Sequence, residues 1–293
     1  MNKQNKVTKA VILAAGFGTR FLPVTKSIPK EMFPIVDVPA MQYLVSEAVE
    51  AGVKDILIVI SRNKKMITDH FDRAYELEDL LRTNNKKKEL KILEDILPDD
   101  VNVYYHVQKE MRGPGAAVKL AESFTGDEPF VLFFGDDLIY TGDKDNCATQ
   151  LLKAYEKTGK TVIATQYVPD EDAKKYGVVN NTPIDEHLLK VNYIEEKPTR
   201  PIHKPVVNIG RYVMTKEIYT YIDKLSPHEN GEVYFSDALD LMGKDDRLYA
   251  YQYEGKRYDL GDKLGFLKAQ VEYALRNDEL KDAFYKYLKE EIK

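Results

Sequence analysis

Residues 9–23 read Lys9-Ala-Val-Ile-Leu-Ala-Ala-Gly16-Phe-Gly18-Thr19-Arg20-Phe-Leu-Pro23, an apolar run that ends in small residues and a Gly-x-Gly turn. Because residues 10–15 are continuously apolar rather than alternating, they predict a parallel strand that is buried on both faces. Gly16 and Gly18 permit a tight turn and the close approach of a ligand. Arg20 adds a forked cation just past the strand, at the edge where open α/β sheets bind ligands. This arrangement predicts a phosphate-binding loop.

The segment after this loop carries Lys26 and Lys30 among four prolines. Proline interrupts helices, so residues 21–39 are predicted to form a long loop with short turns, and such loops are usually functional. The third glycine of the dinucleotide fingerprint is replaced by Phe21, and the Gly-Lys-Ser/Thr of the Walker pattern is missing. A nicotinamide-dependent oxidoreductase is therefore disfavoured, and Arg20, Lys26 and Lys30 are the candidate phosphate ligands. The alternative is a glycine turn flanked by surface cations.

Strand and helix patterns alternate from this loop to about residue 150, which predicts an α/β fold with a doubly wound, mostly parallel sheet. Apolar runs at residues 55–60 and 130–134 predict two further buried strands. Residues 75–97 combine helical spacing with many charges and predict an exposed helical excursion. From about residue 151 strands predominate, so the sheet is expected to become mixed, and residues 263–293 predict closing helices.

The composition excludes several classes of protein. The 293 residues include 43 Lys and Arg against 48 Asp and Glu, a net charge of −5, which disfavours a nucleic acid partner. The polar start and the lack of any apolar stretch of about 18 residues predict no leader and no membrane span. A single cysteine, Cys147, predicts a reducing compartment and a buried, inert thiol. A cytoplasmic location is expected.

Gln108 follows a predicted strand and precedes Gly113 in a Pro-Gly turn. An amide both donates and accepts hydrogen bonds, which suits the edge of a nucleobase. A glycine nearby allows the backbone to approach a flat ring. The alternative is an ordinary surface loop.

Two acidic positions follow predicted strands and precede turns or helices. Asp136 ends the strand at 130–134, and Asp259 precedes a helix that starts near Asp262. Mg²⁺ takes one or two protein carboxylates and keeps waters or phosphate oxygens, so Asp136 and Asp259 are candidate metal ligands. The alternatives are an Asp-rich turn for Asp136 and a turn residue for Asp259, with Asp262 as the helix cap.

A further polar cluster occurs in the strand-rich half. Glu196 and Lys197 end a predicted strand, Gly177 starts another, and Asn208 lies in a third. A carboxylate beside a lysine can accept hydrogen bonds from sugar hydroxyls and bind a phosphate. The alternative for Glu196 and Lys197 is an exposed, charged strand end.

These motifs, in this order, resemble the sugar-phosphate nucleotidyltransferase family. The most specific match is Gly16-Phe-Gly-Thr-Arg20-Phe-Leu-Pro-x-Thr-Lys26-x-x-Pro-Lys30-Glu-Met, and the resemblance continues through Gln108-Lys-Glu, Gly135-Asp-Asp, Tyr176-Gly-Val-Val, Glu196-Lys-Pro and Tyr258-Asp. Within the family the chain is most similar to bacterial UTP–glucose-1-phosphate uridylyltransferases. It departs from the usual pattern at residues 113–117, where a histidine is missing, and at 204–209.

The resemblance implies a Rossmann-like nucleotidyltransferase fold in one domain, 1–293. This would comprise a nucleotide-binding half at about 8–150, a sugar-binding half at about 151–262 and C-terminal helices at 263–293. It implies Mg²⁺ as cofactor, UTP and glucose 1-phosphate as substrates, and a homodimer or homotetramer. The implied site residues are, for catalysis, Arg20, Lys30 and Lys197; for the nucleotide, Ala14, Ala15, Gly16, Gly18, Thr19, Lys26, Gln108 and Gly113; for the sugar, Gly177, Glu196 and Asn208; and for the metal, Asp136 and Asp259.

Two other functions are kept as alternatives. One is a thymidylyltransferase or another sugar-1-phosphate nucleotidyltransferase, which would use the same phosphate and metal groups. The other is a regulator that binds a sugar nucleotide without turning it over. A regulator would not need both Asp136 and Asp259, so the presence of both favours an enzyme.

Overall fold

The computed structural model describes residues 6–291, so most of the polar start that argues against a leader lies outside the described residues. The strands are β1 (Lys9–Ala14), β2 (Pro34–Ile35), β3 (Val38–Pro39), β4 (Asp55–Ile60), β5 (Asn102–Val107), β6 (Phe130–Phe134), β7 (Asp137–Tyr140), β8 (Thr161–Tyr167), β9 (Gly177–Pro183), β10 (Leu188–Glu196), β11 (Val206–Met214), β12 (Leu248–Gln252) and β13 (Lys256–Asp259).

The α-helices flank these strands in sequence. They are α1 (Ala40–Glu50), α2 (Lys65–Phe71), α3 (Tyr75–Thr83), α4 (Lys87–Glu94), α5 (Gly113–Lys119), α6 (Glu122–Thr125), α7 (Cys147–Thr158), α8 (Glu217–Asp223), α9 (Phe235–Lys244), α10 (Lys263–Arg276) and α11 (Lys281–Glu291). Among the described residues, no helix is long and apolar enough to cross a membrane.

Nine strands form one sheet in the order β5-β4-β1-β6-β11-β8-β12-β10-β9. The first four strands are parallel, as the continuous apolar runs predict. Beyond β6 the sheet is mixed, because β11 runs antiparallel to both β6 and β8 while β12 is parallel to β8. The predicted fold class is therefore confirmed: the first half of the chain contributes four neighbouring parallel strands, and the second half is mixed, with β8 and β12 as its parallel pair.

Helices cover both faces of this sheet, which makes the fold doubly wound. On one face α1 packs on the apolar side chains of β1 and β4, while α7 packs on β8 and β11, and Cys147 lies buried there as expected. On the other face α5, α8 and α9 pack on β6 and β11. Because the sheet is continuous through both predicted halves, the division into halves stays a prediction.

Residues 21–39 form the predicted loop, with two short 3-10 turns and the small β2–β3 hairpin, and a further 3-10 turn at Thr19–Phe21 leads into it. The predicted excursion at residues 75–97 is a pair of helices, α3 and α4, packed on each other. A second ribbon, the antiparallel pair β7–β13, is not predicted by the sequence patterns. Helix α10 packs beside it and starts at the cap Asp262, whose side chain accepts hydrogen bonds from two backbone N–H groups.

Candidate active site

The candidate site begins where β1 and β6 end side by side. Leu13 pairs with Phe134, and the Gly135 N–H donates to the Leu13 carbonyl at 3.0 Å. A Cβ on Gly135 would lie only 2.6 Å from that carbonyl oxygen, so glycine is required for this close approach. The next residue, Asp136, is thereby placed beside the glycine loop that follows β1.

The β7–β13 ribbon brings the two candidate metal ligands together. Asp137 pairs with Asp259 in the ribbon, and the Leu260 N–H donates to the Asp136 carbonyl at 2.8 Å. Asp136 and Asp259 therefore converge although they are far apart in sequence. Asp259 is also the turn residue of the alternative interpretation, because its Oδ1 accepts from the Gly261 N–H at 2.9 Å.

Gly261 leaves a gap directly in front of these carboxylates. A Cβ built on Gly261 would lie 3.0 Å from Asp259 Oδ1 and 3.1 Å from Asp136 Oδ2. It would also lie 3.5 Å from Nη1 of Arg20, which donates to the Gly261 carbonyl at 3.2 Å. A forked cation and two carboxylates thus face one small space that any larger residue would fill.

A cavity of about 400 Å³ opens from this gap, and we call it the carboxylate cavity. Seven predicted site residues line it: Arg20, Asp136, Gly177, Glu196, Lys197, Asn208 and Asp259. Strands β13, β9, β10 and β11 supply four of them, and Asp136 and Lys197 lie directly next to β7 and β10. The structure thus collects the predicted metal and sugar residues into one space.

Lys197 stands at the rim of this cavity in an unusual backbone conformation. Its φ is +46°, a left-handed value that non-glycine residues seldom adopt and that is often found at functional sites. The Lys197 N–H donates to the Tyr176 carbonyl at 3.0 Å, which anchors the strained residue. The Lys197 side chain is 63% exposed, and its ammonium nitrogen lies 3.5 Å from Glu196 Oε1. The predicted Glu–Lys pair is therefore formed and open to a ligand.

A second cavity of about 250 Å³, the glutamine cavity, lies on the other side of Asp136. Its lining includes the predicted residues Ala15, Gly16, Lys30, Gln108 and Gly113. Gln108 is buried, and its N–H continues the β4–β5 pairing by donating to the Ile60 carbonyl at 2.8 Å. Gln108 itself is therefore not exposed, although residues 109–112, which follow it, form an exposed loop.

The segment before α9 closes the glutamine cavity over Gly113. The Val233 N–H donates to the Arg112 carbonyl at 2.8 Å, and the Gly115 N–H donates to the Val233 carbonyl at 2.9 Å. Gly113 has φ +84°, and a Cβ there would lie 2.9 Å from the Val233 carbonyl oxygen. This packing explains both glycines of the 113–115 turn.

The two cavities adjoin, since Pro114, Phe134, Asp136 and Glu232 line both. An elongated ligand can therefore pass from Gln108 to Lys197 across Asp136. The predicted residues Ala14, Gly18, Thr19 and Lys26 lie in the same loop region but line neither cavity.

Charged side chains interact strongly where the two cavities meet at Asp136. Lys30 Nζ donates to Asp136 Oδ2 at 2.8 Å. Burial alone would lower the pKa of Lys30, but Asp136 and Glu31 raise it above its ordinary value. Burial alone would raise the pKa of Asp136, but Lys30 and Arg257 hold it below its ordinary range. Both groups are therefore charged at neutral pH.

Asp259 differs from Asp136 in the direction of its pKa shift. Burial, together with the nearby carboxylates of Asp137 and Asp136, raises the pKa of Asp259 above its ordinary value although Arg257 opposes the shift. Two carboxylates that face one gap repel each other. This arrangement favours a cation in the gap.

A buried ion pair lies beside Lys30, at the next residue of the chain. Lys64 donates to Glu31 Oε2 at 2.5 Å, and both side chains are almost completely buried. The other oxygen of Glu31 has no hydrogen-bond partner among the described residues, and Glu31 lines the glutamine cavity. Burial raises the pKa of Glu31 although Lys64 opposes the shift.

Three residues without a predicted role, Arg257, Glu232 and Tyr234, also line the carboxylate cavity. For Arg257 a signal exists, because it lies two residues before Asp259 and therefore on the same face of a strand. For Glu232 and Tyr234 no sequence signal is evident, since they reach the site through the packing of residues 232–236 against the 113–115 turn.

The chain is similar to known proteins over most of its length. The sequence profile described as nucleotidyl transferase matches residues 9–276. UTP–glucose-1-phosphate uridylyltransferase 2 of Staphylococcus saprophyticus is 42% identical over 288 residues, which cover 97% of this chain and 98% of that protein.

Solved structures are similar over almost the whole chain. A UDP-glucose pyrophosphorylase complexed with UDP-glucose is 37% identical with a TM-score of 0.84, over 93% of this chain and 100% of that one. A UTP-bound UGPase from Acinetobacter baumannii is 33% identical with a TM-score of 0.89, over 97% and 99% of the two chains. The profile and the relatives together show that this chain belongs to the nucleotidyl transferase family.

Proposed function

We propose that the chain transfers UMP from UTP to glucose 1-phosphate, giving UDP-glucose and pyrophosphate. The observation that carries the proposal is the position of Asp136, which lines both the glutamine cavity and the carboxylate cavity. A nucleotide held at Gln108 and a sugar phosphate held at Lys197 would meet at this residue. The uridylyltransferase relative and the UTP- and UDP-glucose-bound structures support this choice of substrates.

In this proposal the glutamine cavity holds uracil. The Gln108 amide can donate to a uracil carbonyl and accept from the ring N–H, and the backbone of residues 14–16 and Gly113 approaches the ring without side chains in the way. The triphosphate would then extend past Asp136 toward Arg20 and Lys30.

The residues fit a magnesium ion. Asp136 and Asp259 present hard oxygen donors to the gap at Gly261, and Mg²⁺ is usually held by one or two carboxylates together with substrate phosphates. Asp136 and Asp259 would hold the ion, which would supply positive charge to neutralise the phosphate oxygens.

The reaction needs no covalent intermediate. A phosphate oxygen of glucose 1-phosphate attacks the α-phosphorus of UTP, a new P–O bond forms, and the bond to the bridging oxygen of the departing pyrophosphate breaks. Lys197 would align the attacking phosphate, while Arg20 and Lys30 would stabilise charge on the pyrophosphate. Glu196, Gly177 and Asn208 would orient the glucose ring. Catalysis of this kind depends on positioning and charge neutralisation.

A substrate panel tests the proposal. Pyrophosphate release is measured with UTP, dTTP, ATP, CTP or GTP against several sugar 1-phosphates, with and without Mg²⁺. UTP with glucose 1-phosphate is expected to give the highest kcat/KM, and chelation of Mg²⁺ is expected to stop turnover. A preference for dTTP would make the chain a thymidylyltransferase. Tight binding of UDP-glucose without pyrophosphate release would make it a regulator.

The remaining features of the proposal concern the cell and the assembly. A cytoplasmic location fits the single buried cysteine, and a homodimer or homotetramer is the assembly that the family resemblance implies. Both stay predictions, and sedimentation of the purified chain measures the second.

A further inference from the structure

Arg257 occupies a position between the metal carboxylates and the sugar side of the site. It lies on β13, and only 11% of its side chain is exposed. That exposed part lines the carboxylate cavity. Its neighbour on the same strand face, Asp259, has Oδ2 at 3.7 Å from Arg257 Nη2.

On one side, Arg257 is fixed to the paired strand of the ribbon. Its Nε donates to Oδ1 of Asp137, and the other oxygen of Asp137 accepts from the Gly210 N–H at 2.9 Å. A Cβ on Gly210 would collide with Asp137, so the contact is tight. An isolated two-stranded ribbon is only marginally stable, so these buried contacts fix the spacing of Asp136 and Asp259.

On the other side, Arg257 reaches the sugar-binding residues through Tyr176. Its Nη1 donates to the Tyr176 hydroxyl at 3.1 Å, and the guanidinium carbon lies 5.2 Å from the ring centroid. The Tyr176 carbonyl accepts the backbone N–H of the strained Lys197. One guanidinium therefore links the ribbon to the segment that positions Lys197.

The chemistry of arginine suits this linking position. Its donors point in fixed directions, so Nε and Nη1 can hold two partners at a set angle, which a lysine ammonium on a flexible stem cannot do. The charge of Arg257 is offset by Asp137, so the network is nearly neutral as a unit.

We propose that Arg257 is a positioning residue that couples the spacing of the metal carboxylates to the placement of Lys197. The proposal rests on the function proposed above. Arg257 would act through Asp137 and Tyr176. Loss of its guanidinium group would therefore weaken metal binding and sugar-phosphate binding together.

Arg257→Lys tests this coupling because it keeps the charge and removes the fork. Mn²⁺ binding to the protein without nucleotide is titrated by electron paramagnetic resonance, and KM for glucose 1-phosphate is measured separately. Both the Mn²⁺ Kd and the KM are expected to rise about tenfold or more, as is usual when a partner of a metal ligand is lost. Tyr176→Phe removes the Nη1 contact alone and is expected to raise the KM without changing the Mn²⁺ Kd.

Arg276→Lys is the matched control. Arg276 also donates to a tyrosine hydroxyl, that of Tyr258, at 3.0 Å, and lies 3.9 Å from the ring centroid of Tyr140, but it does not line the carboxylate cavity. It therefore tests general loosening of the same ribbon, and both binding constants are expected to stay unchanged.

Asp259→Asn distinguishes failure of the proposed metal site from failure of the proposed coupling by Arg257. Unchanged Mn²⁺ binding in Asp259→Asn would overturn the proposed metal site itself. Weakened binding in Asp259→Asn with normal Mn²⁺ Kd and KM in Arg257→Lys would overturn the coupling role alone. An effect of Arg276→Lys as large as that of Arg257→Lys would also overturn it, since loosening of the ribbon would then suffice.

Discussion

The glutamine cavity and the carboxylate cavity meet at Asp136, but they are built from different interactions. The glutamine cavity is held mainly by backbone hydrogen bonds, from Gln108 to Ile60 and between Val233 and the 113–115 turn. Its lining is mostly small or apolar, with Gln108 as a neutral polar group, and it also includes the charged residues Lys30, Glu31, Asp136 and Glu232. Around Gln108, such a cavity can select a ligand by shape and by a few neutral contacts.

The carboxylate cavity is held by charged side chains that are themselves buried. Arg211 is fully buried, pairs with Glu47 at 2.9 Å, and donates from the same Nη2 to the Asp137 carbonyl at 2.7 Å. Arg257 pairs with Asp137 from the cavity side. Removing one partner of a buried pair leaves an uncompensated charge, so this framework tolerates little change.

This difference predicts which substitutions change substrate affinity and which change the turnover rate. Substitutions in the glutamine cavity are expected to change nucleotide KM, because they remove contacts made equally before and during the reaction. Substitutions of the metal carboxylates and of Lys197 in the carboxylate cavity are expected to change kcat, because charge develops there.

Asp136→Ala is expected to have the largest effect. It removes a metal carboxylate, and loss of one preorganised electrostatic group lowers kcat by about 100-fold or more. Steady-state pyrophosphate release measures it, with Asp143→Ala on the exposed loop after β7 as the control. Near-normal turnover in a folded Asp136→Ala protein would remove Asp136 from the site.

Lys197→Ala is expected to lower kcat by a similar factor, about 100-fold, because it removes the cation that is proposed to align the attacking phosphate. The exposed Lys174 supplies the control Lys174→Ala. The proposed role is contradicted if glucose 1-phosphate turnover falls no further in Lys197→Ala than in this control.

Gln108→Ala is expected to raise KM for UTP about tenfold and to change kcat little, as for the loss of one or two neutral hydrogen bonds. It should also reduce the preference for UTP over CTP. A large fall in kcat with unchanged KM would contradict the division between the cavities.

Lys30→Ala is expected to act in opposite directions on two ligands. A cation on Asp136 must displace Lys30, so its removal should tighten Mn²⁺ binding without nucleotide by about fivefold, the size of one partly exposed ion pair. UTP binding should weaken, because a triphosphate ligand is lost. Calorimetry measures both, and weakened Mn²⁺ binding would show that Lys30 supports Asp136 rather than competing for it.

The sequence predicts the local parts of the site better than the distant ones. Gly16, Arg20 and Gln108 follow strong strand signals, so their placement at the sheet edge follows from pattern alone. The ribbon that joins Asp136 to Asp259 escapes prediction, because each of its strands has four residues and the pairing is not local. The resemblance to the family identifies Asp136 and Asp259, but it does not predict the gap at Gly261 that both residues face.

The packing of Val233 on the 113–115 turn escapes prediction for a related reason. It depends on the fit between two segments that the sequence separates widely, and the positive φ of Gly113 has meaning only with that fit. The same holds for Arg257, whose partners Asp137 and Tyr176 come from other strands and turns.

The most direct test of the central claim is a Mn²⁺ titration of Gly261→Ala. The added methyl group would fill the gap between Asp136 and Asp259, so binding is expected to be lost, while Gly16→Ala, whose Cβ meets no atom within 4 Å, should bind Mn²⁺ like the unchanged protein. Normal Mn²⁺ binding by a folded Gly261→Ala protein would contradict the account, because the metal would then lie elsewhere.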